Sequence, residues 1–238
     1  MAAEFAPFVL MHHSVQDYDI DPYQVTVRPG RFEEQLRWLR RHGRRGVSVR
    51  ELLRSRHAGR GAGLVGLTFD DGYADFATQV LPALTRYGFT ATVFVVAGAL
   101  GGANTWDDPG PRKRLLTAAQ VRQVAAAGIE VGSHGLHHVH LPRLTPADLC
   151  EHLSRSRQIL AGLTGEEVIG FCYPYGAAGP REIEAVAAAG YEYACTAGRN
   201  RPAGRLTLPR TFIGDRDNSA RLYAKLLRHH LTAGRVPA

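Results

Sequence analysis

Short apolar runs recur along the chain and alternate with longer amphipathic stretches. Residues 8–11, 64–69, 90–96, 128–133, 168–173 and 191–196 are compact, mainly apolar runs bounded by turn residues, the pattern of buried strands. Between them, apolar positions at helical spacing cover 31–41, 74–87, 118–127, 146–163 and 180–189. Thr117 and Thr145 precede two of these stretches as N-caps, and Pro146 takes the tolerated first helical position. Gly88, Gly128 and Gly190 fall where helices end, since glycine accepts the left-handed conformation that stops one. The tail from about 218 to 231, including Leu226–Leu227–Arg228–His229–His230, reads as a further amphipathic helix. Strands alternating with helices predict one α/β domain built on a parallel sheet or barrel, with its core at about 8–213.

Two polar constellations interrupt this pattern at strand ends. Thr68–Phe69–Asp70–Asp71–Gly72–Tyr73 closes the 64–69 run with adjacent carboxylates. Neighbouring like charges raise each other's proton affinity, so the pair is costly unless a cation takes one carboxylate and leaves the other as a base. Taken alone, it also fits two acids at a helix N-terminus. Gly132–Ser133–His134–Gly135–Leu136–His137–His138–Val139–His140 follows the 128–133 run and holds four of the eleven histidines. Two imidazoles and one carboxylate leave positions open for water and substrate on a borderline metal. A solvated histidine-rich loop would read the same way for any single residue. Both clusters end strands, where barrel enzymes place their chemistry.

These motifs resemble those of the polysaccharide deacetylases of the NodB-homology type, carbohydrate esterase family 4. The family's T-F-D-D-G is Thr68 to Gly72, and its H-[ST]-x-x-H aligns with His134 and His138, with Gly135 where the family has Ser or Thr. Its third motif, R-x-P-Y-G after an aromatic, corresponds to Phe171–Cys172–Tyr173–Pro174–Tyr175–Gly176. The resemblance runs from about residue 8 to 213 and implies a distorted (β/α) barrel, often of seven strands. It implies that Asp71, His134 and His138 bind a divalent transition metal, zinc foremost, with cobalt, nickel or manganese as alternatives. Asp70 would be the general base, and the backbone N–H of Tyr175 would help hold the oxyanion. His137 and His140 stay open as alternative ligands. The implied reaction is metal-dependent hydrolysis of an N-acetyl group from an amino sugar, glycan or small glycoside. The alternative is a carbohydrate-binding member of the fold without catalysis.

Two departures from the family bear on the machinery. Cys172 stands where the family's third-motif Arg orients the base, and Arg210 in Leu208–Pro209–Arg210 could supply a guanidinium from elsewhere; a surface Arg is the competing reading. The chain also opens with a strand ending in Leu10–Met11–His12–His13, similar to a permuted branch of the family. His13 is then the expected acid for the leaving amine, with a buried neutral histidine as the competing reading. Trp106, in the segment after the third strand, either walls the substrate groove or packs within its loop. The loops 101–114 and 197–205 are the expected groove lining.

Composition narrows the class further. The chain has 238 residues, 45% hydrophobic and 21% charged, enough for one well-cored domain. No apolar run is long enough to span a membrane, and no basic-then-apolar leader is legible. Cys150, Cys172 and Cys195 lack C-x-x-C spacing and read as reduced thiols. The expectation is therefore a cytoplasmic protein acting on a soluble N-acetylated sugar. The net charge of +7 concentrates partly in Arg37, Arg40, Arg41, Arg44 and Arg45, which read as a solvated face, with Trp38 as a packing residue. No nucleic-acid motif accompanies them.

Overall fold

The computed structural model describes residues 4–198, 204–232 and 235–236, so part of the expected groove loop 197–205 lies outside the described residues. The principal sheet contains β2 (Val9–His12), β5 (Arg45–Val47), β6 (Leu64–Phe69), β7 (Thr92–Val95), β8 (Glu130–Ser133), β9 (Gly170–Cys172), β10 (Tyr193–Cys195) and β11 (Thr211–Phe212). Two short ribbons lie outside it, pairing β1 (Glu4–Phe5) with β12 (Arg235–Val236) and β3 (Ser14–Val15) with β4 (Thr26–Val27). Seven strands follow one another in the order β10-β9-β8-β7-β6-β2-β11, and β5 pairs with the start of β6 as an eighth. Every pairing in this sheet is parallel. The chain closes the sheet on itself. Leu208 exchanges backbone hydrogen bonds with Ala194 and Thr196 beside β10, and four residues later Phe212 pairs with Met11 of β2. The expected parallel barrel is thus present, with β5 and the two-residue β11 as strands the sequence did not announce.

Strand alternation divides the apolar residues into two layers. Leu10, Val65, Leu67, Phe69, Val93, Val95, Val131, Phe171 and Ala194 belong to the larger core shared with the helices. Val9, Phe94, Cys172, Tyr193, Cys195 and Leu208 form a second cluster on the opposite strand faces, inside the barrel. Small residues make room there: a Cβ on Gly170 would lie 2.3 Å from the Tyr193 hydroxyl, which instead donates to Glu130 at 3.0 Å.

The helices are α1 (Pro29–Arg41), α2 (Val49–His57), α3 (Leu81–Tyr87), α4 (Ala118–Ala126), α5 (Pro146–Thr164), α6 (Pro180–Ala188) and α7 (Ser219–Thr232). Thr117 and Thr145 cap α4 and α5 as expected, each accepting a backbone N–H from the third helical residue. The stretch 74–87 departs from a single helix. Phe76–Val80 winds as a π-helical turn before α3 begins, and Pro82, which has no N–H to give, falls in the first turn of α3. The arginine cluster also divides: Arg37, Arg40 and Arg41 lie on α1, whereas Arg45 opens β5. Trp38 is buried and stacks on His42, as a packing residue should. No helix among the described residues is long and apolar enough to cross a membrane.

Candidate active site

Continuing the strand alternation past each C-terminal end brings the candidate residues to one place. Thr68 and Asp70 follow Gly66 on the inward face of β6, His134 follows Gly132 on β8, and His13 follows Met11 on β2. Between the two acids the backbone turns sharply: Asp71 and Gly72 both adopt φ of 71°. For an aspartate that left-handed conformation costs about 1 kcal/mol, and here it sends the two adjacent carboxylates to different partners.

Asp70 meets Arg210. Nη1 donates to Oδ1 at 2.6 Å and Nη2 to Oδ2 at 2.7 Å, and both side chains are buried. The guanidinium is itself fixed by Thr68 Oγ1 at 3.0 Å, the Thr196 carbonyl at 3.1 Å and Cys172 Sγ at 3.1 Å. A guanidinium thus does meet Asp70, from position 210, and the Cys172 thiol lies beside it. Burial would raise the Asp70 carboxyl, but the Arg210 charge and hydrogen bonds outweigh this and hold it below the usual carboxylate range. His13 Nε2 stands 4.0 Å from Asp70 Oδ2, while its neighbour His12 turns outward and is buried between Phe32 and Phe69.

Asp71 meets two imidazoles. Its Oδ1 lies 3.3 Å from His134 Nε2 and 3.4 Å from His138 Nε2. His134 Nδ1 lies 2.8 Å from the Cys172 carbonyl; this contact assigns its proton to Nδ1 and turns the Nε2 lone pair toward Asp71. Three lone-pair-bearing atoms thus face one another in a buried site, and Asp71 Oδ1 has no hydrogen-bond donor. Such a donor set fits a divalent transition cation, and the same three residues form one of two candidate metal groups among the described residues. The other combines Asp70, His134 and Cys172, but Arg210 already claims its carboxylate and thiol. Without a cation, a proton must relieve the conflict. Burial lowers both histidines; at His134, Asp71 and Asp70 overcome it and raise the pKa, whereas His138 stays depressed to about 4. His137 and His140 point elsewhere: His137 approaches Gly98 and His152, and His140 stacks on Tyr175 at 3.9 Å.

Aromatic side chains frame this centre. Trp106 stacks on the His138 ring at 4.7 Å and Tyr175 meets its edge at 4.4 Å, so Trp106 both packs and walls the site. The 101–116 segment that carries Trp106 is pinned over the motif by Ala74 N–H to the Arg114 carbonyl and Leu116 N–H to the Gly72 carbonyl. Tyr73 and Asn104 both donate to Asp107 Oδ2, a support that no sequence spacing announces. Tyr175, at φ of 57°, is half exposed on the rim with its ring against His138.

The polysaccharide deacetylase family profile matches residues 57–194. YxkH of Bacillus subtilis, whose name assigns it provisionally to the polysaccharide deacetylases, is 26% identical over 190 residues, covering 79% of this chain and 63% of YxkH. The poly-beta-1,6-N-acetyl-D-glucosamine N-deacetylase of Escherichia coli K12 is 32% identical over 130 residues, 51% of this chain and 19% of that protein. The chain therefore spans less than two thirds of either curated relative. In fold, it is similar to the Streptococcus pyogenes deacetylase PplD, solved with acetate, at a TM-score of 0.79 and 22% identity over 93% of this chain and 98% of that one. With the profile covering more than half of its length, the chain belongs to the polysaccharide deacetylase family.

Proposed function

We propose that this protein is a metal-dependent N-deacetylase that removes the acetyl group from an N-acetylated amino sugar. The observation that carries the reading is the separation of the two adjacent aspartates, Asp71 facing two imidazole lone pairs and Asp70 clamped by Arg210. Asp71, His134 and His138 would hold the metal, zinc being the foremost choice for two imidazoles and a carboxylate. Bound there, such a cation supplies a lowered water pKa and polarisation of the acetyl carbonyl.

The remaining chemistry belongs to the chain. Asp70 accepts the proton of the attacking water, and Arg210 holds its carboxylate in one orientation. The Tyr175 N–H donates to the carbonyl oxygen as charge builds on it. His13, 4.0 Å from Asp70, gives a proton to the sugar nitrogen as the C–N bond breaks, so that acetate and a free amine leave. Trp106 and Tyr175 offer apolar faces for the sugar ring.

The Arg210 guanidinium on Asp70, beside Cys172, supports catalysis over the binding-protein alternative. The similarity to the E. coli poly-beta-1,6-N-acetyl-D-glucosamine N-deacetylase supports an N-acetylglucosamine unit as the substrate class. The test is acetate release by zinc- or cobalt-loaded protein from N-acetylglucosamine and its β-1,6 oligomers. Release that is lost in Asp70→Asn supports the reading. Tight sugar binding with no acetate from the loaded protein would replace it with the carbohydrate-binding alternative.

A further inference from the structure

Gly135 stands between two of the proposed ligands, at the position where the family motif carries a hydroxyl side chain. Its φ is 85°, and a Cβ built there would lie 2.2 Å from Nε2 of His152. His152 projects from α5, is buried, and its Nε2 accepts the Leu136 N–H at 3.2 Å. The opposite edge of the same loop is held from the turn after β7, where Ala97 and Gly98 N–H donate to the Gly135 and Leu136 carbonyls at 2.9 and 2.7 Å. A second tie to α5 runs from Gly135 N–H to Ser133 Oγ, which donates to Ser156 Oγ at 2.9 Å. The loop from His134 to His138 is therefore clamped between β7 and α5, and one arm of the clamp is an imidazole in the volume a side chain at 135 would fill.

We propose that His152 is a positioning residue for the metal centre: its ring replaces the missing side chain of position 135 and, by accepting the Leu136 N–H, sets the spacing of His134 and His138. This rests on the reading of Asp71, His134 and His138 as ligands. Gly135 and His152 are then a reciprocal pair. A side chain at 135 evicts the ring, and loss of the ring leaves both a void and an amide without its acceptor. Burial lowers the His152 pKa to about 4, consistent with a ring that accepts through Nε2.

The experiment compares metal-depleted wild type, His152→Gln, His152→Ala, Gly135→Ala and the double variant Gly135→Ala/His152→Ala. Cobalt(II) affinity is read from calorimetry and the visible spectrum, and Leu136 amide exchange is read in the metal-free proteins. A supporting-residue loss of about 10- to 100-fold in cobalt affinity is expected for His152→Ala, with faster Leu136 exchange. His152→Gln, which can still accept the N–H, is expected to keep both near wild type. Gly135→Ala should weaken cobalt binding alone and regain part of it when the ring is removed, so the two changes are not additive. Wild-type affinity and Leu136 protection in His152→Ala, or additive effects in the double variant, would overturn the proposal. Wild type that binds no cobalt would remove the ligand reading by itself, and Leu136 exchange would still decide whether His152 holds the loop.

Discussion

Arg210 and Asp70 are 140 positions apart, yet they meet through two parallel hydrogen bonds of 2.6 and 2.7 Å. Planar bidentate geometry of this kind depends on the guanidinium fork and not on charge alone. Arg210→Ala strands a buried carboxylate, and we expect a loss of about 3–5 kcal/mol in unfolding free energy. Arg210→Lys should restore part of the stability but little of the turnover. Denaturant unfolding and kcat on an N-acetyl sugar check both.

The same pair sets a pH dependence. The Asp70 carboxyl is held below its ordinary value in the folded protein, so its contribution is present above the unfolded carboxylate range and lost as pH falls through the folded pKa. With the Arg210 guanidinium gone, burial is opposed only by the His13 and His134 charges, and in Arg210→Lys by an ammonium without the bidentate hydrogen bonds, so the carboxyl rises, most in Arg210→Ala. The acid limb of the kcat/KM profile is therefore expected at higher pH in Arg210→Lys or Arg210→Ala; an unmoved limb would show that Asp70 is not the base.

Metal removal should act on stability and activity together. Chelation is expected to abolish acetate release, and cobalt at about 100 times its Kd should return about 2.7 kcal/mol of unfolding free energy. His134 must lose its proton to bind. Its pKa is raised in the metal-free protein, so its charge stabilises that form at low pH and the contribution is lost as pH rises through the folded pKa. Cobalt affinity should accordingly strengthen with rising pH through and just above the ordinary histidine range, as pH-dependent titration calorimetry would record.

His13 distinguishes amides from activated esters. If it protonates the departing amine, His13→Gln should slow amide hydrolysis by about 10²- to 10⁴-fold. An aryl acetate needs no such proton, and its hydrolysis should fall far less. Equal losses on both substrates would return His13 to a packing role.

Cys172 offers a relocation test. Its side chain is fully buried against Arg210, so Cys172→Arg would place two guanidinium groups on one carboxylate. That variant is expected to lose stability, and adding Arg210→Ala should recover part of it and of turnover. Thermal unfolding and acetate release decide the matter.

Much of the site was legible because strand parity is regular. Once the 64–69 and 128–133 runs are strands, Thr68, Asp70, Gly132 and His134 must share inward faces, and the placement of Asp71, His134 and His138 follows the motifs. Arg210 could be suggested but not assigned, because pairing across 140 positions depends on how the barrel closes. His138 could not be separated from His137 by spacing, since the choice depends on a loop clamped by residues from β7 and α5. The π-helical turn at Phe76–Val80 and the strand β5 were hidden for local reasons: one keeps helical periodicity, and the other is three residues long with an exposed arginine at its start.

The segment from Leu208 to Phe212 seams the first and last long strands of the barrel, and Arg210 lies in the middle of that seam. Asp70 thus acquires its bidentate partner only when the two ends of the sheet have found each other. Closing the sheet and orienting Asp70 are one event: the chain that bridges β10 and β2 is the chain that carries the guanidinium, so the carboxylate has a fixed direction only in the closed barrel.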